Sequence, residues 1–468
     1  MRIFRVRSGS QLPVAICLAV ICLATWARAQ APDLSTTVDR IAQQVLGSTG
    51  VPSASVAVVR DNKIVYARAY GDASLEPKVP ARSEMRYSIG SISKQFTATA
   101  ILMLAEEGKL SLDDPVSRFL PHLTRASQVT IRQLLSHTSG YQDYWPQDYV
   151  MPMMLEPTTA QKILELWARK PLDFDPGTKW QYSNTNYVIA GLIVEKASGM
   201  PLLKFLGERV FKPLGMEEVV NIDQQRLAAT DPTGYMRYAL GPLHPAPKEG
   251  QGWLFAAGEL AMSAPDLARW DIGMLEQRLL KPASYKEMQA EVRLKNGLGT
   301  RYGLGIDVTS EADHRALEHG GEVSGFTSEN IVFPDDHAAI VVLTNQDAAM
   351  AAGQIARRIA PLLFQDARVA EKEQQARKIF TGLQHGQLDR SLFTANANSY
   401  FSPQALQDFA SSLGPLGEPR SFTQASQGLR GGMSFRRYTV TFADKALSVW
   451  VYEMPDGKIE EYQVMAAD

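Results

Sequence analysis

Cysteine is nearly missing: the 468-residue chain holds two, Cys17 and Cys22, both in an N-terminal stretch that reads as removable. Beyond that stretch there is no thiol nucleophile, no cysteine metal site and no disulfide, so stability must come from burial. No Gly-x-Ser-x-Gly elbow occurs, which leaves an α/β-hydrolase nucleophile without support. None of the seven histidines belongs to a His-Glu-x-x-His pattern, so no metal site is expected, and no cofactor. Internal repeats, low-complexity tracts and a second membrane-length apolar run are also lacking. So is an excess of positive charge, and with it any general electrostatic case for binding nucleic acid.

What is present begins with an export signal. Arg2, Arg5 and Arg7 form a basic start, residues 12–26 an apolar core, and Ala27-Arg28-Ala29 a small-residue cleavage site before Gln30. The core is too short for a good membrane span. Residues 1–29 are expected to be removed after Ala29, leaving a periplasmic or secreted protein with no stable membrane span. Loss of four arginines and no acid takes the formal net charge from −2 to −6. With 45% hydrophobic and 21% charged residues, the remainder reads as an ordinary globular chain, long enough for two or three domains.

Periodicity places a helix over 34–46, then strands over 54–60 and 63–70 joined by the turn-forming pair Asp61-Asn62. Strand character returns at 302–308 and 330–345. Between 110 and 293 the pattern is mainly helical, broken by Pro/Gly-rich loops such as Asp175-Pro176-Gly177. The simplest architecture is an antiparallel sheet built from both ends of a domain, with a helical insertion between them. A helix over 355–364 precedes a charged boundary. Beyond it come helices over 376–385 and 403–413 and strands over 434–442, 446–453 and 458–464, a small α+β unit.

Chemistry is concentrated in three places. Gly90-Ser91-Ile92-Ser93-Lys94 heads an apolar helix, and a spacing of three puts the serine hydroxyl and the lysine amine on one helical face. A lysine can activate a serine when burial lowers its pKa, and the free N–H groups of a helix start suit an anionic intermediate. Tyr182-Ser183-Asn184 offers a hydroxyl that can relay or accept a proton when cations lower its pKa, and an amide that can orient both a lysine and a carbonyl. In isolation, packing explains Tyr182 better. His319-Gly320-Gly321-Glu322 lies where an edge strand is expected, and paired glycines let a backbone approach a ligand closely, though a Gly-rich hairpin has the same composition.

Taken in order, these elements resemble the serine β-lactamase and penicillin-binding superfamily, in the branch of class C β-lactamases, carboxypeptidases, D-aminopeptidases and esterases. Residues 51–60, 110–115 and 131–140 resemble that family too, so that the likeness runs over about 33–364. It implies a β-lactamase/transpeptidase-like α+β fold over 30–365. It also implies an acyl-enzyme route in which Ser91 attacks, Lys94 and Tyr182 share general base and acid work, and Asn184 holds the substrate amide or ester. The strand residues His319, Gly320 and Gly321 would line the substrate, and the backbone N–H groups of Ser91 and Glu322 would form the oxyanion hole. Residues 370–468 resemble small accessory domains of the nuclear-transport-factor type.

Departures from the pattern bear on substrate. Relatives carry Lys-Thr-Gly where this chain has His319-Gly320-Gly321, so a fixed cation and a hydroxyl for a substrate carboxylate are replaced by a part-time cation and nothing. Glu322 and Glu259 would repel anionic substrates if they faced the cleft. The expected protein is therefore an exported serine hydrolase of esters or amides, including D-amino-acid-containing peptides. A β-lactamase, a D-Ala-D-Ala carboxypeptidase and a non-catalytic penicillin-binding sensor are the alternatives. His137-Thr138-Ser139-Gly140 is expected to fix a loop. Tyr141, Tyr144, Trp145 and Tyr149 are expected to wall a cleft or to pack the insertion.

Overall fold

Every residue from Ser53 to Val59 is buried, because the strand they form is covered on both faces. That strand is β1 (Ser53–Arg60), and it turns at Asp61 and Asn62, both at positive φ, into β2 (Lys63–Leu75), followed by β3 (Lys78–Pro80). The sheet is completed by β4 (Asp307–Glu311), β5 (His314–Val323), β6 (Phe326–Phe333) and β7 (Ala338–Thr344). Its order is β3-β2-β1-β7-β6-β5-β4, and Ala54 pairs with Thr344 and Val59 with Ala339 across the central β1–β7 ladder. The sheet is thus assembled from both ends of its domain, as the sequence pattern implied. The computed structural model describes residues 34–147, 149–364 and 367–467. The expected export signal and both cysteines lie outside them.

The helices used below are α1 (Leu34–Thr49), α2 (Ser93–Glu106), α3 (Asn184–Ser198), α4 (Ala264–Leu275) and α5 (Ala351–Leu363). On one face of the sheet α1 and α5 bring Val38, Ile41, Ile355 and Ile359 against Val56, Val58, Ile340 and Val342. On the other face Ala57, Val59, Val341 and Leu343 join a larger core with Phe96, Ile101, Leu267 and Trp270. Helix α2 runs through this second core and is buried at every residue from Ser93 to Leu104, which is why its sequence shows no amphipathic stripe. Its buried polar side chains are paired. Gln95 Nε2 donates to Asn330 Oδ1 at 3.2 Å, Trp270 Nε1 donates to Gln95 Oε1 at 2.8 Å, and Asn330 Nδ2 donates to both Asp271 oxygens at 2.9 Å. This network fastens α2 to α4 and β6 and fixes the height of the residues at the helix start.

Three readings of the sequence are corrected. The apolar stretch 330–345 is the end of one strand and the whole of the next, separated by the turn Pro334–Asp336 and by His337 at positive φ. Residues 302–306 are buried without strand pairing beyond an isolated Tyr302–Asp307 bridge, and β4 begins only at Asp307. The stretch 110–293 contains helices but also short strands at Val220–Asn221, Tyr235–Arg237, Leu243–Pro245 and Leu260–Met262.

The C-terminal part contains α6 (Ala367–Gln384), α7 (Pro403–Leu413) and a four-stranded antiparallel sheet in sequence order, β8 (Ser421–Arg430), β9 (Met433–Thr441), β10 (Ala446–Glu453) and β11 (Ile459–Ala466). Phe380, Phe422, Tyr438, Val449 and Tyr462 form its own core. Strand β8 escaped the sequence reading because only Phe422 in it is buried. The whole is an α+β fold with antiparallel sheets flanked by helices.

Candidate active site

Ser91 sits in a single 3-10 turn, Gly90–Ile92, that leads directly into α2. Two glycines bring this turn against β5. Gly90 has φ +51°, and a Cβ there would stand 2.7 Å from the Glu322 nitrogen. A Cβ on Gly321 would fall on the Ile89 carbonyl oxygen and against Ser328 Oγ, which itself donates to Ile89 O at 2.9 Å. Only β5 residues 314–318 pair with β4, so His319–Val323 form an edge that faces Ser91.

Lys94 is 0% exposed. Its Nζ donates to Ser91 Oγ at 2.9 Å, Asn184 Oδ1 at 2.8 Å and Ala257 O at 2.8 Å, and lies 4.9 Å from the centre of the Tyr182 ring. Burial brings its pKa down to about 7, against an opposing pull from Asp143.

Asn184 is the first residue of α3, and Tyr182 precedes it in the loop. The Tyr182 hydroxyl is buried, and the group beside it that can hydrogen-bond to it is Ser91. Burial pushes this phenol well above its ordinary range, an effect that Ser91 beside it offsets only in part. The expected lowering by cations is therefore overturned: desolvation dominates, and Tyr182 keeps its proton. His137, at positive φ, stacks on the Tyr182 ring with centroids 4.2 Å apart, and its Nδ1 accepts the Ser183 N–H at 3.1 Å. The loop-fixing reading of 137–140 agrees with this geometry.

His319 is also corrected. Its Nδ1 lies 2.6 Å from Gly320 O and its Nε2 3.0 Å from the Tyr302 hydroxyl, so the ring carries its proton on Nδ1 and accepts from Tyr302. Burial brings its pKa down to about 4, and it is neutral where a part-time cation was expected. Glu259 does not face the cleft. It is buried, accepts from Asn221 Nδ2 at 2.9 Å, and burial raises its pKa to about 8. Because the folded value exceeds the unfolded one, ionising Glu259 costs stability as pH rises from about 4.5 through about 8. Glu259→Gln should therefore match wild type at pH 4 and exceed it at pH 9 by on the order of 3–5 kcal/mol, read from urea midpoints. Glu322 does line the cleft, its Oε1 accepting the Ala348 N–H at 2.8 Å.

The cleft has a volume of about 1420 Å³. Ser91, Tyr182 and Asn184 open onto it, and its lining includes the aromatic residues Tyr144, Trp145, Tyr149 and Trp180, the carboxylates of Glu322 and Asp347, and Arg357 and Arg358. Tyr141, by contrast, is packing. The residue that sequence reading missed is Asp143, whose partner Asn184 lies 41 positions away. Among the described residues no group of three or more His, Cys, Asp or Glu is placed to hold a metal ion, and no helix is long and apolar enough to cross a membrane.

A serine and a buried lysine under a phenol and an amide, on an antiparallel sheet flanked by helices, define a serine hydrolase. The chain belongs to the Beta-lactamase family, whose model matches residues 38–363. Penicillin-binding protein 4* of Bacillus subtilis (strain 168) is 29% identical over 322 residues, 65% of this chain and 70% of its own length, and Protein flp of Staphylococcus aureus (strain N315) is 28% identical over 325 residues, 67% of this chain and 63% of its own length. Among solved structures, a D-stereospecific amidohydrolase from Streptomyces sp. is 29% identical with a TM-score of 0.59, covering 68% of this chain and 96% of that one. The octameric penicillin-binding protein homologue from Pyrococcus abyssi covers 92% of this chain and 99% of its own at a TM-score of 0.62, and at 21% identity the likeness is one of fold.

Proposed function

We propose that this protein is an exported hydrolase that cleaves esters or amides, D-amino-acid amides and peptides among them, through an acyl-enzyme on Ser91. The observation that carries the reading is the coordination of Lys94 Nζ by three oxygens within 2.9 Å. A neutral amine has two N–H bonds and one lone pair. With the two N–H bonds directed to Asn184 Oδ1 and Ala257 O, the lone pair faces the Ser91 hydroxyl and can accept its proton.

Ser91 Oγ then bonds to the carbonyl carbon as its proton passes to Lys94, and the oxyanion is held by the N–H groups of Ser91 and Glu322. Collapse breaks the ester or amide bond. The leaving atom takes the Tyr182 proton, which the Lys94 ammonium replaces, and water attacking the acyl group reverses these transfers. A phenol held in its protonated form suits donation to a leaving group. Asn184 steadies the substrate amide or ester from beside the lysine.

The surroundings of Ser91 favour neutral acyl groups. His319 is neutral and Glu322 and Asp347 border the cleft, so position 319 offers a substrate carboxylate no cation, and of the arginines that also line the cleft, Arg357 and Arg358, the first is already paired with Glu311, Glu318 and Glu329. The likeness to a D-stereospecific amidohydrolase from Streptomyces sp. supports amide cleavage and a D-configured substrate. Cleavage after Ala29 would deliver the enzyme to the periplasm or the medium.

Intact-mass measurement after exposure to a fluorophosphonate should show one adduct, absent in Ser91→Ala. No adduct on wild type, or an equal adduct on the variant, refutes the nucleophile. The labelling rate should rise about tenfold per pH unit below pH 7 and level off above it, since Lys94 acts only after losing its proton. Hydrolysis of D-amino-acid amides, short-chain esters, D-Ala-D-Ala peptides and a chromogenic β-lactam, compared side by side, then assigns the substrate.

A further inference from the structure

Helix α3 begins without a cap of its own, since the Ser183 side chain makes no capping hydrogen bond. The loop that follows His137 supplies one from outside. Asp143 Oδ1 accepts the Asn184 N–H at 2.9 Å and the Trp145 N–H at 3.2 Å, while Thr185 Oγ1 donates to Gln142 O at 2.7 Å and Ser139 Oγ donates to Asn186 Oδ1 at 2.6 Å. The loop is therefore sewn to the first turn of α3, with a carboxylate at the positive end of the helix.

The second oxygen of Asp143 does something a cap does not require. Asp143 Oδ2 accepts from Asn184 Nδ2 at 3.3 Å, on the opposite end of the amide from Oδ1, which accepts from Lys94 Nζ at 2.8 Å. An amide can be turned either way. In the reverse orientation its oxygen would face a carboxylate and its N–H₂ would face an amine that already needs acceptors, so this carboxylate selects the orientation the lysine uses. No acidic group forms an ion pair with Lys94 among the described residues, and the other titratable groups around it, His137, His319, Tyr182 and Tyr187, carry no negative charge near neutral pH. Burial raises the Asp143 carboxyl above its ordinary value, and the three N–H donors that converge on it, together with Lys94, pull the other way and favour the ionised form.

We propose that Asp143 is a positioning residue of the active site, which turns the Asn184 amide oxygen toward Lys94 and supplies the one negative charge that balances the Lys94 ammonium. The proposal rests on the reading of Ser91 and Lys94 as nucleophile and base. It separates Asp143 from a residue that merely holds a loop, because the charge acts on the amine through Asn184.

The test is the pH dependence of fluorophosphonate labelling of Ser91, which requires no knowledge of the substrate, in wild type, Asp143→Asn and Asp143→Ser. With the carboxylate gone the ammonium is easier to deprotonate. The rising limb of labelling, normalised to its own plateau, should then move to lower pH by roughly one unit in each folded variant. A limb that stays in place in a variant with a cooperative melt overturns the proposal, even where the melting temperature falls, and leaves only the cap. If neither variant folds while Asn184→Ala does, Asp143 serves the loop and the proposal also fails. A wild type that takes no label refutes the nucleophile itself, a result distinct from an unmoved limb in a protein that does label.

Discussion

Lys94→Met is expected to lose on the order of 10²–10⁴-fold in fluorophosphonate labelling and in turnover while remaining folded. The side chains are similar in length and the site is fully buried, so the substitution removes an amine and little volume. Stability should show the reverse trend with pH from that expected of a surface lysine. The folded pKa of Lys94, about 7, lies below the unfolded value of 10.5, so wild type loses stability as pH falls from about 10.5 to about 7 and holds that loss below it. Relative to wild type, Lys94→Met should thus melt higher at pH 6 than at pH 10. The donors lost to Asn184 Oδ1 and Ala257 O act at both pH values and cancel from the comparison. Parallel melts at the two pH values, with labelling measured on the same samples, check both halves. Unchanged labelling would refute Lys94 as the base.

Gly321→Ala should be the most damaging single methyl in the site. The added carbon would clash with the Ile89 carbonyl oxygen and crowd Ser328 Oγ; the serine can rotate, but the carbonyl cannot yield without moving backbone. Either β5 shifts away from the Gly90–Ile92 turn or the turn shifts away from β5, and both movements part Ser91 from Glu322. A loss of about 3 kcal/mol or more in stability is expected, with at least ~10²-fold in labelling. Gly320 is the internal control, because a Cβ there meets nothing nearer than 3.8 Å. Gly320→Ala should fold normally, and urea melts of the pair decide the matter. If the two variants behave alike, close backbone approach is not what the second glycine provides.

These glycines also show how far a sequence can be read. The order of Ser91-x-x-Lys94, Tyr182-x-Asn184 and His319-Gly320-Gly321 carried a family resemblance, and it was that resemblance, with spacing contributing only the shared face of Ser91 and Lys94, that put these backbone segments together. Protonation was not legible. Tyr182 looked like a group that cations would tune and His319 like a part-time cation, whereas enclosure decides both, and enclosure depends on residues outside each motif, such as Tyr302 against His319. Glu259 was weighed as a cleft charge on the condition that it faced the cleft, and its side chain lies in the interior against Asn221. Asp143 carried no signal at all. It stands among aromatic residues, and its meaning comes from Asn184. In the sheet, the hairpin at Asp61-Asn62 was plain from its turn chemistry, while the two strands on either side of Pro334 merged because apolar residues, 331–333 and 338–343, flank the turn on both sides.

The β1–β7 ladder sets a timetable for the enzyme. Ala54 cannot find its partner until Thr344 exists, and every strand facing Ser91 comes after residue 306. A chain growing from its N-terminus therefore carries its nucleophile and lysine early but cannot assemble them until nearly the whole domain has been made. Closing so long a loop is slow as well as late. Hydrolytic competence should appear abruptly with the last central strand, and chains that stop short of it should be inert.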